Sequence, residues 1–227
     1  MAQVDFHERQ LTLKLVYYGP PLSGKTTNLR ALHGRVDALN RGRLMTLDTR
    51  DDRTLFFDLL PLFFRAGSVS IRLKVYTVPG QPMHEWTRRI VLQRADGVVF
   101  VADSSVTQAT ANREAWDGLS HHLGALRLDH VPVVVQYNKR DLPDRVEMAS
   151  ADRFGDPHRP LMEAQAVSGV GVVETFFATL ERTWDVVDAD VRLAERFGIE
   201  RESFLDAMRA HIGADQRSTT PVLSSAS

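Results

Sequence analysis

The chain contains no cysteine in 227 residues. That excludes a disulfide framework, a thiolate metal centre and a cysteine nucleophile. It lacks an excess of either charge sign: 28 basic residues stand against 29 acidic ones, for a net charge of -1. A nucleic-acid binder would carry a basic surplus, so none is read. It also lacks any apolar run of about 18 residues, so no integral membrane segment is expected. The start, MAQVDFHERQ, has no signal-peptide layout; Ala2 stands where myristoylation needs glycine, and the closing SSAS cannot be prenylated. These absences lead to the expectation of a cytoplasmic protein.

What is present is an alternation. Leu11–Tyr18, Val69–Val78, Gly97–Asp103 and Val131–Asn138 are apolar runs of strand length. GVVFVA and VPVVVQY are almost unbroken and valine-rich, as central parallel strands buried on both faces are. VSIRLKVYTV alternates in part, which suits an edge or antiparallel strand. Helical patterns fall at roughly Thr26–Leu39, Val106–Leu126, Arg145–Arg153 and Val172–Asp190. Strand and helix in turn predict an α/β fold, a doubly wound and mostly parallel sheet flanked by helices. The main domain is read over 1–190. RLAERFGIERESFLDAMRAHIG predicts a helical extension over 191–213 that breaks at Gly198 and restarts near Glu200. The small, polar stretch 214–227 predicts a disordered tail.

Between the first of these runs and the first helical pattern lies GPPLSGKTTN. Gly19 to Thr26 matches G-x-x-x-x-G-K-[ST] with a strand before and a helix after, the context a phosphate-binding loop requires. Amides from Leu22, Ser23 and Gly24 onward, through Thr27 in the first helical turn, form an anion nest. Lys25 reaches the β- and γ-phosphates, and the Thr26 hydroxyl ligates Mg²⁺. Pro20 and Pro21 have no N–H to give, but they precede the amides such a cradle uses. They stiffen the approach to the γ-phosphate.

The base is chosen elsewhere. Asn138-Lys139-Arg140-Asp141 closes VPVVVQY and matches N-K-x-D, at a strand's carboxyl end where open α/β sheets bind ligands. The Asp141 carboxylate accepts both guanine N1–H and the exocyclic amine, a donor pair adenine lacks. Asn138 braces the loop, and the Lys139 stem covers the base. Ala166 and Val167, in QAVSG, complete the pocket, with the Ala166 N–H a donor to guanine O6. GTP and GDP are therefore the expected ligands, and an ATPase or small-molecule kinase is disfavoured. In TVPGQ, Gly80 offers its N–H to the γ-phosphate and Gln81 orients the attacking water. Most Ras-like proteins have aspartate where Thr77 stands, so a hydroxyl or water serves the outer shell of the metal here. Thr46, Thr49 and Thr54 compete as the switch threonine, and spacing alone does not choose among them.

YYGPxxxGKTTNL, DRTLFFDLLPL, YTVPGQ, DGVVFVADS and QYNKRDLP together resemble the bacterial MglA-type small GTPases of gliding motility and cell polarity, over roughly Leu11 to Val187. The resemblance implies a Ras-like fold with an extra strand pairing and a mobile second strand. It implies that Thr54 is the switch threonine and a second metal ligand, that Arg53 is an arginine finger supplied in cis, and that Thr77 is normal. Slow GTP hydrolysis stimulated by an MglB-like roadblock-domain partner follows from it. So do polarity or motility effectors, recruitment to a cell pole, and a monomeric GDP-bound form. The chain departs from the pattern at Pro21, usually glycine, in PMHEW after Gln81, and in its length beyond the last helix. A GTP-holding scaffold with little hydrolysis is the alternative. Leu55-Phe56-Phe57 with Leu59-Leu60 reads first as a buried strand face and second as a docking surface, and His121-His122 as surface or groove histidines rather than a zinc site.

Overall fold

The computed structural model describes residues 2–48, 56–80 and 85–213. Arg53, Thr54 and Gln81 therefore lie outside the described residues, as does the tail expected over 214–227. The strands are β1 (Gln3–Asp5), β2 (Gln10–Tyr18), β3 (Met45–Asp48), β4 (Phe56–Ala66), β5 (Val69–Thr77), β6 (Gly97–Asp103), β7 (Val133–Asn138) and β8 (Leu161–Glu163). They form one sheet in the order β3-β4-β5-β2-β6-β7-β8, with β1 antiparallel to the start of β2. From β5 to β8 all pairings are parallel. The β4–β5 hairpin and the β3–β4 pair are antiparallel.

Every residue of β6 is buried, as expected for a strand covered on both faces. β5 instead buries every second side chain. It is not an edge strand; it pairs parallel with β2 and antiparallel with β4, and one of its faces buries Val69, Ile71, Leu73 and Val75. That face belongs to the larger core, filled by α1 (Lys25–Arg35), α4 (Val172–Val191), α5 (Leu193–Phe197) and α6 (Arg201–Arg209). The opposite face of β2, β6 and β7 is covered by α2 (Glu85–Leu92) and α3 (Ala109–Ala125).

Three readings of the sequence need correction. Residues 145–153 form no α-helix; a 3₁₀ turn at Met148–Ser150 is all that appears. Arg145 bridges to Ser105 and the Val146 N–H bonds Ser104 O at 2.8 Å, so the backbone is drawn along the end of β6 instead of coiling. The helix expected over Thr26–Leu39 begins at Lys25 and ends at Arg35, where Val36 turns extended and bridges to Ile212. Of the pair read as surface or groove histidines, His121 is exposed, while His122 is buried edge-on to Tyr18, and its pKa is lowered by that burial. Among the described residues no group of potential ligands is arranged to hold a zinc-like ion.

The C-terminal stretch breaks at Gly198 and restarts at Arg201, and breaks once more at Arg192, which takes a left-handed conformation. Phe204, Leu205 and Met208 of α6 enter the larger core, and Phe204 packs on Trp184 with ring centres 4.5 Å apart. No helix among the described residues is long and apolar enough to cross a membrane.

Candidate nucleotide site

The site gathers where β2, β6 and β7 end. Gly19 to Gly24 joins β2 to α1, and the helix begins at Lys25 with Gly24 as its cap. Gly24 has φ +97°, and a Cβ there would lie 2.2 Å from Asn138 Nδ2. Only glycine lets the loop pass so close. Leu22, at φ 59°, turns its side chain outward and is 88% exposed. Its backbone thus serves the loop while its side chain faces away from the core.

Lys25 is buried and folds back over the loop, donating from Nζ to Gly19 O at 3.0 Å and Pro20 O at 2.6 Å. Burial lowers its pKa to about 7; the positive charge of Arg88 adds to this and Asp58 partly opposes it. A cation held this way is starved of negative charge, which phosphate would supply.

Asn138 is the joint of the site. Its Nδ2 donates to Ser23 O at 2.8 Å, and its Oδ1 accepts from the Ala166 N–H at 2.9 Å. One amide ties the phosphate loop, the N-K-x-D segment and the 165–168 turn together. The second bond occupies the Ala166 N–H in the free protein, beside the backbone of Val167, the next residue, which is largely exposed. Lys139 has φ 66° and pairs through Nζ with Asp103 Oδ2 at 2.6 Å. Asp141 is exposed at the mouth. A second buried chain lies behind Asn138: Gln136 Nε2 donates to Asn28 Oδ1 and Thr175 Oγ1, each at 2.9 Å, and Asn28 Nδ2 donates to Gly24 O.

The residue that sequence reasoning missed is Asp58. It is buried at 2% exposure. It receives hydroxyl donations from Thr26 at 2.6 Å and Thr77 at 3.0 Å on Oδ2, and from Thr46 at 2.8 Å on Oδ1. Its own N–H bonds Thr77 Oγ1 at 3.0 Å. The carboxylate that Thr77 does not provide therefore arrives from the next strand. A signal for it existed: Ala66 pairs with Val69 across a two-residue turn, and counting back along that register sets Asp58 across from Thr77. The donor set is oxygen only, which suits a hard cation such as Mg²⁺. Thr26 can donate its hydroxyl hydrogen bond to Asp58 and keep its oxygen lone pairs for a metal.

Gly80 closes the site over the prolines. A Cβ on it would lie 2.4 Å from Pro21 Cα and 2.6 Å from Pro21 N. Arg88, on α2, donates from Nε to Pro79 O at 3.0 Å and from Nη2 to Gly80 O at 2.6 Å.

No family model matches the chain. The Mutual gliding-motility protein MglA of Myxococcus xanthus (strain DK1622) is 43% identical over 183 residues, covering 78% of this chain and 93% of that protein. The tRNA modification GTPase MnmE of Proteus mirabilis (strain HI4320) is 30% identical over 164 residues, which is 70% of this chain and 33% of the relative.

Proposed function

Because the chain belongs to the MglA family of small Ras-like GTPases, we propose that it is a guanine-nucleotide switch that binds Mg²⁺ with GTP or GDP, hydrolyses GTP slowly, and acts in cell polarity or gliding motility. The observation that carries this reading is the Asn138 amide, which couples the phosphate loop to the base-recognition loops. Lys25 exchanges its loop carbonyls for the β- and γ-phosphates. Asp141 accepts the guanine N1–H and amine, and the Ala166 N–H exchanges Asn138 for O6, with Val167 beside it. Thr26 and Thr54 would hold Mg²⁺, with the Asp58 carboxylate accepting the Thr26 hydroxyl hydrogen bond; when bound, the metal would supply charge neutralisation for the phosphates. Gly80 donates its N–H to the γ-phosphate, and loss of that phosphate frees the switch segments. Gln81 orients water and Arg53 neutralises developing charge, an effect worth roughly 10³–10⁵ in rate.

The partner in this proposal is an MglB-like roadblock-domain protein that brings Arg53 and Gln81 into place, with recruitment from the cytoplasm to a pole through effectors. Residues 1–190 form the GTPase unit and 191–213 a helical extension. Phosphate release from GTP, measured with and without the roadblock protein encoded nearest in the genome, tests the proposal. Stimulated release that Arg53→Ala nearly abolishes, at near-normal GTP affinity, is the expected result; unchanged stimulated turnover removes Arg53 from the mechanism. A second reading, a GTP-holding module with little hydrolysis, draws on the tight seat of Gly80 against Pro21. Tight GTP binding with no release over hours in either condition would favour it, and an accelerated rate in Pro21→Gly would trace the slowness to that contact.

A further inference from the structure

We propose that Arg88 is a positioning residue for GTP hydrolysis: by gripping the carbonyls of Pro79 and Gly80 it sets the direction of the Gly80 N–H that senses the γ-phosphate. The proposal rests on the role given above to Gly80. Arg88 sits in α2, yet its guanidinium reaches back along the chain to bond both carbonyls, at 3.0 Å and 2.6 Å. Its guanidinium carbon also lies 5.8 Å from the centre of the Tyr18 ring. Tyr18 is the last residue of β2, directly before Gly19. One cation thus joins the helix, the 79–80 turn and the strand that delivers the phosphate loop.

The peptide bonds of the described chain are trans. In a trans peptide the C=O and N–H point in opposite directions within one plane. Fixing Pro79 O therefore fixes the Gly80 N–H, on the side away from Arg88. The bond to Gly80 O holds the other side of the same residue. Gly80 meanwhile rests on Pro21, so this controlled N–H belongs to a residue seated on the phosphate loop. Free glycine rotates easily about φ and ψ, and such freedom would blur the donor; the two bonds remove it.

The grip needs a planar fork. Lysine offers one compact ammonium and cannot hold two carbonyls in fixed relation. Arg88 also acts through charge, since it helps to keep the pKa of Lys25 low. Arg88→Lys keeps that charge and loses the fork, which separates the two effects.

The test uses the full chain with Arg88→Lys, Arg88→Ala and Gln81→Leu. Affinities for GDP and GTPγS, single-turnover GTP hydrolysis and thermal midpoints are measured for each. Both Arg88 variants are expected to lose about tenfold in GTPγS affinity, the scale of one charge-assisted hydrogen bond. GDP, which has no γ-phosphate, should bind within about twofold of the parent, well under the 1.4 kcal/mol that a factor of ten represents. Hydrolysis should slow by about ten- to a hundredfold, as for a misplaced catalytic donor. Parental behaviour in Arg88→Lys would reduce the role to charge and overturn the proposal. A parallel fall in GDP and GTPγS affinity would also overturn it, because that marks a merely structural residue. If neither Arg88 variant alters GTPγS affinity while Gln81→Leu stops hydrolysis, Arg88 is excluded and the catalytic reading stands. If Gln81→Leu hydrolyses at the parental rate, the catalytic reading itself fails.

Discussion

Replacing Asp58 by alanine should both loosen the free protein and weaken its hold on Mg²⁺. The carboxylate accepts hydroxyl hydrogen bonds from Thr26, Thr46 and Thr77. Hydrogen bonds to a charged group are worth about 1.5–3 kcal/mol each, so three sum to roughly 5–9 kcal/mol gross. Two effects reduce that sum. Thr46 is exposed and regains water, and removing a buried carboxylate also removes its desolvation cost. A net loss of about 2–4 kcal/mol remains. For a domain of this size each kcal/mol moves the thermal midpoint by about 2–4 °C, which predicts a fall of roughly 4–16 °C. Scanning calorimetry of the nucleotide-free protein measures it. The second half of the prediction uses linkage: a ligand that binds only the native state raises stability by RT ln(1 + [L]/Kd). The extra stabilisation from adding Mg²⁺ to the GDP complex should shrink in Asp58→Ala, and GDP release should become nearly insensitive to EDTA. A midpoint within about 2 °C of the parent, together with an intact EDTA response, would refute both the stability estimate and the place of Asp58 at the metal.

Three more outcomes follow from the geometry. Gly24→Ala should abolish measurable GDP binding, because its Cβ falls 2.2 Å from Asn138 Nδ2 at a φ of +97°; fluorescent-nucleotide titration showing parental affinity would contradict this. Lys25 has a pKa lowered to about 7 in the free protein, so above pH 7 it is increasingly neutral, while bound phosphate raises its pKa again. GDP binding should therefore take up a proton at pH 8, and affinity should fall as pH rises above 7; calorimetry in buffers of different ionisation enthalpy would read zero uptake if this is wrong. Phe204→Ala empties a fully buried position against Trp184 and should cost about 3–5 kcal/mol in urea unfolding of the whole chain. A loss confined to a separate minor transition would show instead that α6 unfolds independently of the sheet.

The parts of the site that could be read from the chain are those made by neighbours in sequence. Gly19 to Thr26 and Asn138 to Asp141 each need glycine, lysine, asparagine or carboxylate at fixed offsets, and each sits at the end of a buried apolar run. The central strands were legible for the same reason: burial on both faces leaves an unbroken valine-rich signature in β6 and β7. Asp58 was hidden because its place among the threonine hydroxyls depends on strand register, a non-local quantity. The bond between Ala166 and Asn138 was not legible either, because a motif cannot say which N–H meets a protein acceptor in the free protein. Residues 145–153 have a helical pattern, but bonds to Ser104 and Ser105 outweigh it. Arg88 carries no motif signal at all, since an arginine on a short surface helix is ordinary until its two acceptors are known.

The strand that carries Asp58 is gripped along its length. β5 holds one side, β3 and the Gly42–Pro61 contact the other, and α6 lies over the buried face. Such a strand has only discrete lengthwise positions. A slip of one residue would exchange its two faces, turning Leu60, Leu62 and Phe64 out of the core. A slip of two residues preserves the faces but sets Leu60 where Asp58 now meets Thr77. The hydroxyl cluster would then face an alkyl group in place of a carboxylate, with no intermediate setting. β4 thus works as a ruler with coarse graduations: the hydroxyl cluster either has its anionic acceptor in full or lacks it altogether.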